Sequence, residues 1–191
     1  MLSRGICFHT KIVAISGSLR AGSSNTGVLR AAARLAPSGV NIVLCDAIAQ
    51  LPFFNPDLDG DQLPSTVAAF RALIGSADGI LISSPEYARG VAGVMKNALD
   101  WLVGSFEFPN KPVGLINTSP RATHALATLT LTLETMSARL VREAFITLPL
   151  LGGKHDEDSI PANSDLAEPL RDAIARFAAA IKSLQAEQHI P

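Results

Sequence analysis

The sequence predicts an α/β fold in which a parallel sheet is covered by helices on both faces. Short apolar runs typical of strands recur along the chain, and the interval between consecutive runs leaves room for a helix. Hydrophobic residues make up 48% of the chain and aromatic residues only 5%, so we expect an aliphatic core. Such a core is typical of helices packed on a parallel sheet.

Five strands are predicted from the apolar runs. They are residues 11–16, 41–46, 79–84, 112–118 and 145–150. Helices are predicted where apolar residues recur every three or four positions, at 26–36, 64–75, 90–103, 125–141 and 165–185. Within the fourth helix, residues 128–133 alternate threonine and leucine, which locally favours a strand. The longer window favours a helix, so we predict one there.

Alternating strands and helices imply a doubly wound sheet with right-handed crossovers. The flavodoxin-like order 2-1-3-4-5 suits five strands and gives a three-layer sandwich. Ligands of such sheets bind beyond the carboxyl ends of the strands, at the switch point between strands one and three. The loops at 16–26, 84–93 and 117–124 are therefore predicted to line one crevice. The 191 residues fit one domain, 1–191, with 1–10 as an N-terminal extension.

The first of these loops combines hydroxyls, glycines and one arginine directly before a predicted helix. Around Arg20 stand Ser16, Ser18, Ser23, Ser24, Asn25 and Thr26. Unpaired amides and the helix dipole favour an anion at such a place, and a terminal phosphate monoester needs several directed donors plus a charged one. The glycine patterns for dinucleotides and nucleoside triphosphates are absent. These features indicate flavin mononucleotide (FMN); the alternative is an ordinary turn capped by Ser24 or Asn25.

The second loop begins with Pro85 and contains Gly90 and Gly93. Pro85 keeps the preceding residue extended and fixes the start of the turn. The glycines permit a backbone path close to a ligand. A planar flavin needs backbone donors along its edge, which such a loop supplies. The alternative is an ordinary strand-to-helix connection with a solvated Glu86.

Together these loops resemble the NAD(P)H-dependent FMN reductase family and its relatives that reduce quinones, azo dyes and chromate. The matching residues are Gly17-Ser18-Leu19-Arg20 followed by Ser23 and Asn25, and Pro85-Glu86-Tyr87 with Gly93, Lys96-Asn97 and Asp100-Trp101. The resemblance implies an enzyme in which bound FMN takes hydride from NADPH or NADH. A quinone, free flavin, azo compound or metal oxyanion would then take the electrons.

The resemblance also implies which residues bind the cofactor. Ser18, Arg20, Ser23 and Asn25 would hold the phosphate, and the backbone of Pro85, Glu86, Tyr87 and Ala88 would face the isoalloxazine. Ser16, Thr26 and Ser119 complete the candidate set. No catalytic acid or base is assigned, because the cofactor carries the chemistry.

The chain departs from the family pattern at three places. Ala88 stands where many members have Asn, and Ala92 stands where Pro is common. The third loop, 119–125, lacks the usual glycine-rich run, which reduces how closely its backbone can approach the ring. Arg121 or His124 could instead place a cation near the flavin and favour its reduced anion. The alternative is that both are surface residues.

Composition and residue spacing argue against nucleic-acid binding, a membrane span, secretion and a metal site. Lys and Arg total 16 and Asp and Glu total 17, so no charge excess favours nucleic acid. No apolar run reaches transmembrane length, no secretory signal is recognised, and the four histidines show no metal-ligand spacing. Cys7 and Cys45 are interpreted as buried thiols of a reducing compartment, so we expect a cytoplasmic protein.

The predicted helix at 90–103 is apolar on more than one face, and Leu131 lies off the inward stripe of its helix. Both features predict a homodimer or homotetramer, which agrees with the resembling family. An electron carrier of the flavodoxin type or a non-catalytic flavin- or nucleotide-binding module is the alternative function. A receiver-type signalling domain is disfavoured, because Ser16-Gly17-Ser18 stands where its acidic pocket would be.

Overall fold

The computed structural model describes residues 10–150 and 155–188. The strands, in chain order, are β1 (Thr10–Ser16), β2 (Val40–Leu44), β3 (Gly79–Ser83), β4 (Glu86–Tyr87), β5 (Gly90–Val91), β6 (Pro112–Asn117), β7 (Arg139–Leu140) and β8 (Ile146–Thr147). The helices are α1 (Ser24–Leu35), α2 (Ser65–Gly75), α3 (Gly93–Val103), α4 (Thr123–Thr135), α5 (Ser159–Ala162) and α6 (Ser164–Gln188).

The main sheet is parallel and runs β2-β1-β3-β6-β7, with β8 also paired to β6. Alternate residues of β1 enter opposite layers of the core, as the strand period of two requires. Ile12 packs with the apolar residues of α1, α5 and α6, whereas Val13 packs with those of α2, α3 and α4. The predicted three-layer fold and its order 2-1-3-4-5 are therefore confirmed.

The fifth position of the sheet is occupied by two short strands, where one continuous strand at 145–150 was predicted. Arg139–Leu140 pairs with the beginning of β6 and Ile146–Thr147 pairs with its end. A 3₁₀ turn at Arg142–Ala144 separates them. The prediction captured only the second piece, because the first piece was assigned to the preceding helix.

Helix α4 ends at Thr135, six residues before the predicted end at 141. Ser137 adopts a left-handed φ of 63°, and the Ala138 N–H donates to the Leu133 carbonyl over 2.9 Å. This geometry is a helix stop of the type that usually carries glycine. Because serine occupies the left-handed position here, the sequence contains no visible stop signal.

Helix α3 begins at Gly93 and not at residue 90 as predicted. Residues 90–91 instead pair antiparallel with Glu86–Tyr87 in a small hairpin. The two turn residues, Ala88 and Arg89, have φ values of 49° and 60°. Positive φ at both central positions defines a type I′ turn, whose usual residues are Asn and Gly. The hairpin was missed because Ala and Arg do not indicate such a turn.

Within the two described ranges, no helix combines the length and apolarity needed to cross a membrane. The same part of the chain contains no group of three His, Cys, Asp or Glu side chains that could hold a metal ion. Cys45 is buried, and burial raises the pKa of its thiol. Cys7 lies outside the described residues.

Candidate functional site

The loops that follow β1 and β3 are in direct contact. The Gly17 N–H donates to the Ser83 carbonyl over 2.8 Å. A Cβ atom added at Gly17 would lie 2.2 Å from Ser84 Oγ and 3.1 Å from Ser84 Cα. Glycine is therefore required for this approach. The predicted convergence of the first two loops is realised in the fold.

A buried amide ties the start of α1 to both neighbouring strands. Asn25 is 6% exposed, and its Oδ1 accepts hydrogen bonds from Ser83 Oγ at 2.9 Å and from Thr118 Oγ1 at 3.2 Å. Ser83 ends β3, and Thr118 follows the end of β6. Buried polar networks of this kind fix one arrangement, because an unmatched partner would be costly. The three loops are thus held in a defined relative position.

Several hydroxyls of the first loop bond to the loop itself. Ser16 Oγ and Thr26 Oγ1 are 2.8 Å apart, and Ser18 Oγ accepts from the Arg20 N–H at 3.4 Å. Ser23 is the N-cap of α1, since its side chain accepts from the Thr26 N–H at 3.4 Å. The capping position is therefore one residue before Ser24, the earlier of the two predicted caps. These contacts shape the loop and leave its other donors available.

The donors that remain are one guanidinium and the first amides of α1. The guanidinium of Arg20 is exposed and makes no hydrogen bond or ion pair with any described residue. The N–H groups of Ser24 and Asn25, at the first turn of the helix, likewise have no acceptor in residues 10–150 and 155–188. This combination suits a phosphate group, which needs directed donors and a positive charge.

A cavity of about 280 Å³ lies beside these donors. Two segments of the chain line it: the first loop with the start of α1, through Arg20, Ala21, Gly22, Ser23, Ser24, Thr26, Gly27 and Arg30, and the later residues His155, Asp156 and Glu157. Of the predicted phosphate ligands, Arg20 and Ser23 line this cavity. Ser18 shapes the loop next to it, and Asn25 holds the helix behind it.

A second cavity of about 300 Å³ lies between the second and third loops. Its lining is Ser84, Pro85, Glu86, Asn117, Thr118, Ser119, Arg121 and Ala122. Three of the predicted site residues, Pro85, Glu86 and Ser119, are in that lining. Tyr87 and Ala88 lie outside it on the hairpin, and Tyr87 is 58% exposed.

Glu86 connects the second loop to the third. Its Oε2 accepts a hydrogen bond of 2.9 Å from the Ala125 N–H, in the first turn of α4. A carboxylate at a helix N-terminus satisfies an otherwise unpaired amide and interacts favourably with the dipole. The reading of Glu86 as a merely solvated side chain does not hold. The third loop is also ordered locally, since Asn117 Nδ2 donates to the Ser119 carbonyl at 2.7 Å.

Sequence reasoning missed Ser83, Asn117 and Thr118 as site residues. Each is a buried polar residue at the end of an apolar strand. That position was the available signal, because the carboxyl ends of β3 and β6 face the crevice.

Two residues of the second sequence signature have a structural role. Asn97 Nδ2 and Trp101 Nε1 both donate to the Pro52 carbonyl, at 3.0 and 2.8 Å. Asn97 Oδ1 also accepts from the Phe54 N–H, and the Phe54 ring packs edge-on against Trp101 at 5.0 Å between centroids. These contacts fasten the connection between β2 and α2 to α3.

The family described as NADPH-dependent FMN reductase matches residues 10–150. The chain belongs to this family. A 2-hydroxy-1,4-benzoquinone reductase from Burkholderia sp is 38% identical over 171 residues, which are 87% of this chain and 91% of that protein. A NAD(P)H-dependent FMN reductase from Pseudomonas aeruginosa is 41% identical over 111 residues, 57% of this chain and 60% of that relative's length.

Solved structures agree with membership of the FMN reductase family. The flavoenzyme NAD(P)H:(acceptor) oxidoreductase of Paracoccus denitrificans superposes with a TM-score of 0.75 at 26% identity, covering 91% of this chain and 98% of that one. The residues at the carboxyl edge of the sheet fit the family's cofactor. Arg20, which has no ion-pair partner among the described residues, and the helix amides suit a phosphate monoester, and the second cavity is lined by Pro85, Glu86 and Ser119 of the predicted site.

Proposed function

We propose that this protein is an FMN-dependent oxidoreductase that passes hydride from NADPH or NADH through bound FMN to a small-molecule acceptor. The observation that carries the proposal is the meeting of three loops at one edge of the sheet, with an arginine at a helix N-terminus that has no ion-pair partner in the described part of the chain. Membership of the FMN reductase family supports the same chemistry.

The first loop would bind the phosphate of FMN. Arg20 would supply the charged donor, and the amides of Ser24 and Asn25 would supply directed donors at the positive end of the helix dipole. Ser18, Ser23 and Asn25 would act mainly by fixing the loop, because their side chains already make internal hydrogen bonds. Ser16 and Thr26 would do the same through their mutual contact.

The second cavity would receive the edge of the flavin ring. When bound, FMN supplies the hydride-accepting and hydride-donating chemistry. The chain's part is to position the ring between Pro85 and Ser119 and to adjust its charge. Arg121 lines this cavity and has no ion-pair partner in the described part of the chain, so we assign it as a cation that favours a reduced, anionic ring. Tyr87 and Ala88 would border the ring from the hairpin.

The proposed acceptor class is quinones. Support comes from the Burkholderia relative, which is named as a 2-hydroxy-1,4-benzoquinone reductase and matches 87% of this chain. Free flavin, azo compounds and metal oxyanions are the competing acceptors. Comparing kcat/KM for 1,4-benzoquinone, free FMN, an azo dye and chromate distinguishes them, and a quinone value below any other would contradict this assignment.

A colour test checks the flavoenzyme proposal. Protein incubated with FMN and desalted should be yellow, should bleach when NADPH or NADH is added without oxygen, and should regain its colour with benzoquinone. Yellow protein that neither nucleotide bleaches would indicate an electron carrier. Protein that stays colourless would indicate a binding module of another kind, and either result would overturn the proposal.

We further infer that the protein is a cytoplasmic homodimer or homotetramer that contacts neither nucleic acid nor membrane. The net charge of −1 supports the absence of a nucleic-acid partner. Leu131 on α4 and Val103 at the end of α3 are both 64% exposed, and large exposed apolar side chains on two helices of one layer favour burial by a second copy. A monomeric mass by light scattering at micromolar concentration would contradict the oligomer.

A further inference from the structure

The cavity beside the first loop has a second wall that sequence reasoning did not predict. Besides residues of the first loop and α1, it is lined by His155, Asp156 and Glu157, which precede the short helix α5. These residues are far along the chain from the first loop. Their placement therefore depends on specific contacts with α1.

A close backbone approach brings this wall to α1. A Cβ atom at Gly27 would lie 2.7 Å from the His155 carbonyl oxygen and 3.1 Å from Asp156 Cα. Both neighbours are backbone atoms, so a side chain at position 27 would displace the wall. Because Gly27 has no side chain, the backbone of residues 155–156 can pack directly against α1.

Two arginines of α1 fasten the same wall. Arg30 forms an ion pair with Glu157, with 3.1 Å between Nη1 of the arginine and Oε2 of the glutamate. Arg34 donates to the Glu157 carbonyl at 2.9 Å and also pairs with Asp158. Residues 155–158 are therefore attached to α1 along two turns of the helix.

The two walls of the cavity differ in charge. The wall formed by the first loop and α1 carries Arg20, which has no ion-pair partner within residues 10–150 and 155–188, and Arg30, which is paired with Glu157, so this wall attracts an anion. Asp156 and Glu157 belong to the second wall. Hydrogen bonds from the Ser159 N–H and hydroxyl hold the pKa of the Asp156 carboxyl below its usual value, which favours its ionised form. Asp156, which has no ion-pair partner among the described residues, thus presents negative charge to whatever lies beside Arg20, whereas the Glu157 carboxylate is paired with Arg30.

We propose that residues 155–158 close the phosphate end of the flavin site and make it selective for a flavin that ends in one phosphate monoester, disfavouring flavin adenine dinucleotide (FAD). This inference rests on the proposed function, since it takes the phosphate of FMN to lie against Arg20. The second phosphate and the adenosine of FAD would have to enter the space between the walls, beside the Asp156 and Glu157 carboxylates. Like charges placed together in a partly closed site oppose binding.

The two halves of the Arg30–Glu157 ion pair provide the test. Dissociation constants for FMN, FAD and riboflavin are measured by flavin fluorescence on flavin-free protein and on the variants Glu157→Gln and Arg30→Gln. Glu157→Gln removes one carboxylate from the wall and leaves Arg30 without its partner beside the cavity, so the preference for FMN over FAD should fall by about threefold to tenfold. Arg30→Gln leaves the carboxylate unneutralised, so the preference should be kept or increased.

Opposite changes in the preference for FMN over FAD in the two variants distinguish charge selection from a structural role. Both substitutions break the same ion pair, so a wall that only needs this contact for its position would respond alike to both. Glu168→Gln, on the exposed side of α6, is the control for a change in net charge and should leave the preference unchanged.

Wild-type protein that binds FAD as tightly as FMN would overturn the inference, and so would equal changes in Glu157→Gln and Arg30→Gln. Different outcomes of the same measurements would contradict the proposed function. If FMN binds no more tightly than riboflavin, the phosphate does not lie at the first loop. If no flavin binds, both the flavoenzyme proposal and the selectivity wall are wrong.

Discussion

The first loop and the hairpin that follows β3 lie side by side but are built differently. The first loop is held by a buried amide, by a glycine contact and by its own hydroxyls. The hairpin turns through two residues with unfavourable left-handed backbone, and its Tyr87 is exposed. The difference supports the proposal that a preorganised phosphate site lies beside a less constrained border of the proposed ring site. Preorganised donors bind more effectively because they need no rearrangement.

Among the substitutions that test this comparison, removal of the buried Asn25 amide should cause the largest loss of stability. In Asn25→Ala, the hydroxyls of Ser83 and Thr118 lose their shared acceptor, so the free energy of unfolding should fall by about 2–3 kcal/mol. Urea denaturation measures this change. Asn41→Ala, at an exposed position of β2, is the control and should change stability by less than about 0.5 kcal/mol. Equal effects of the two substitutions would refute the anchoring role of Asn25.

The glycine contact between the loops should have the next largest effect. Gly17→Ala places a methyl group against Ser84 and should lower the free energy of unfolding by about 1–2 kcal/mol through overpacking. Gly22→Ala is the matched control, because no atom lies within 4 Å of its added Cβ. Replacing Ser84 with glycine in the Gly17→Ala protein should recover part of the loss. No recovery in this double variant would argue against the contact as the cause.

In the hairpin, by contrast, substitution of the turn residues should raise the stability of the protein. Ala88→Asn combined with Arg89→Gly supplies the residues that a type I′ turn favours, so stability should rise by about 1 kcal/mol. Ala88→Val, which places a β-branched residue at positive φ, should lower the melting temperature. A double variant less stable than wild type would show that these turn residues are not a source of strain.

The fold was predictable because strand periodicity and the spacing between strands are local signals. The order of the sheet, both core layers and the meeting of three loops follow from them. The end of α4 was not predictable, because Ser137 occupies a left-handed position without the usual glycine. The hairpin at 86–91 was missed for the same reason, since Ala88 and Arg89 carry no turn signature.

The site was predictable only in part. Of the predicted cofactor-binding residues, Arg20, Ser23 and Thr26 line the first cavity and Pro85, Glu86 and Ser119 line the second, while their binding of FMN stays a prediction. The buried network through Asn25 and the wall at 155–158 arise from contacts between distant segments. Ser83 and Gly27 look ordinary in the sequence, and their partners become apparent only once the strands and helices are packed.

The central claim is that Arg20 at the start of α1 binds the phosphate of FMN. The most direct measurement is the affinity of Arg20→Ala for FMN and for riboflavin. Arg171→Ala, at an exposed position of α6, is the control. Loss of a charge-assisted hydrogen bond should weaken FMN binding by about tenfold or more and leave riboflavin binding unchanged. Undiminished FMN affinity in Arg20→Ala, or equal weakening of both flavins, would contradict the account.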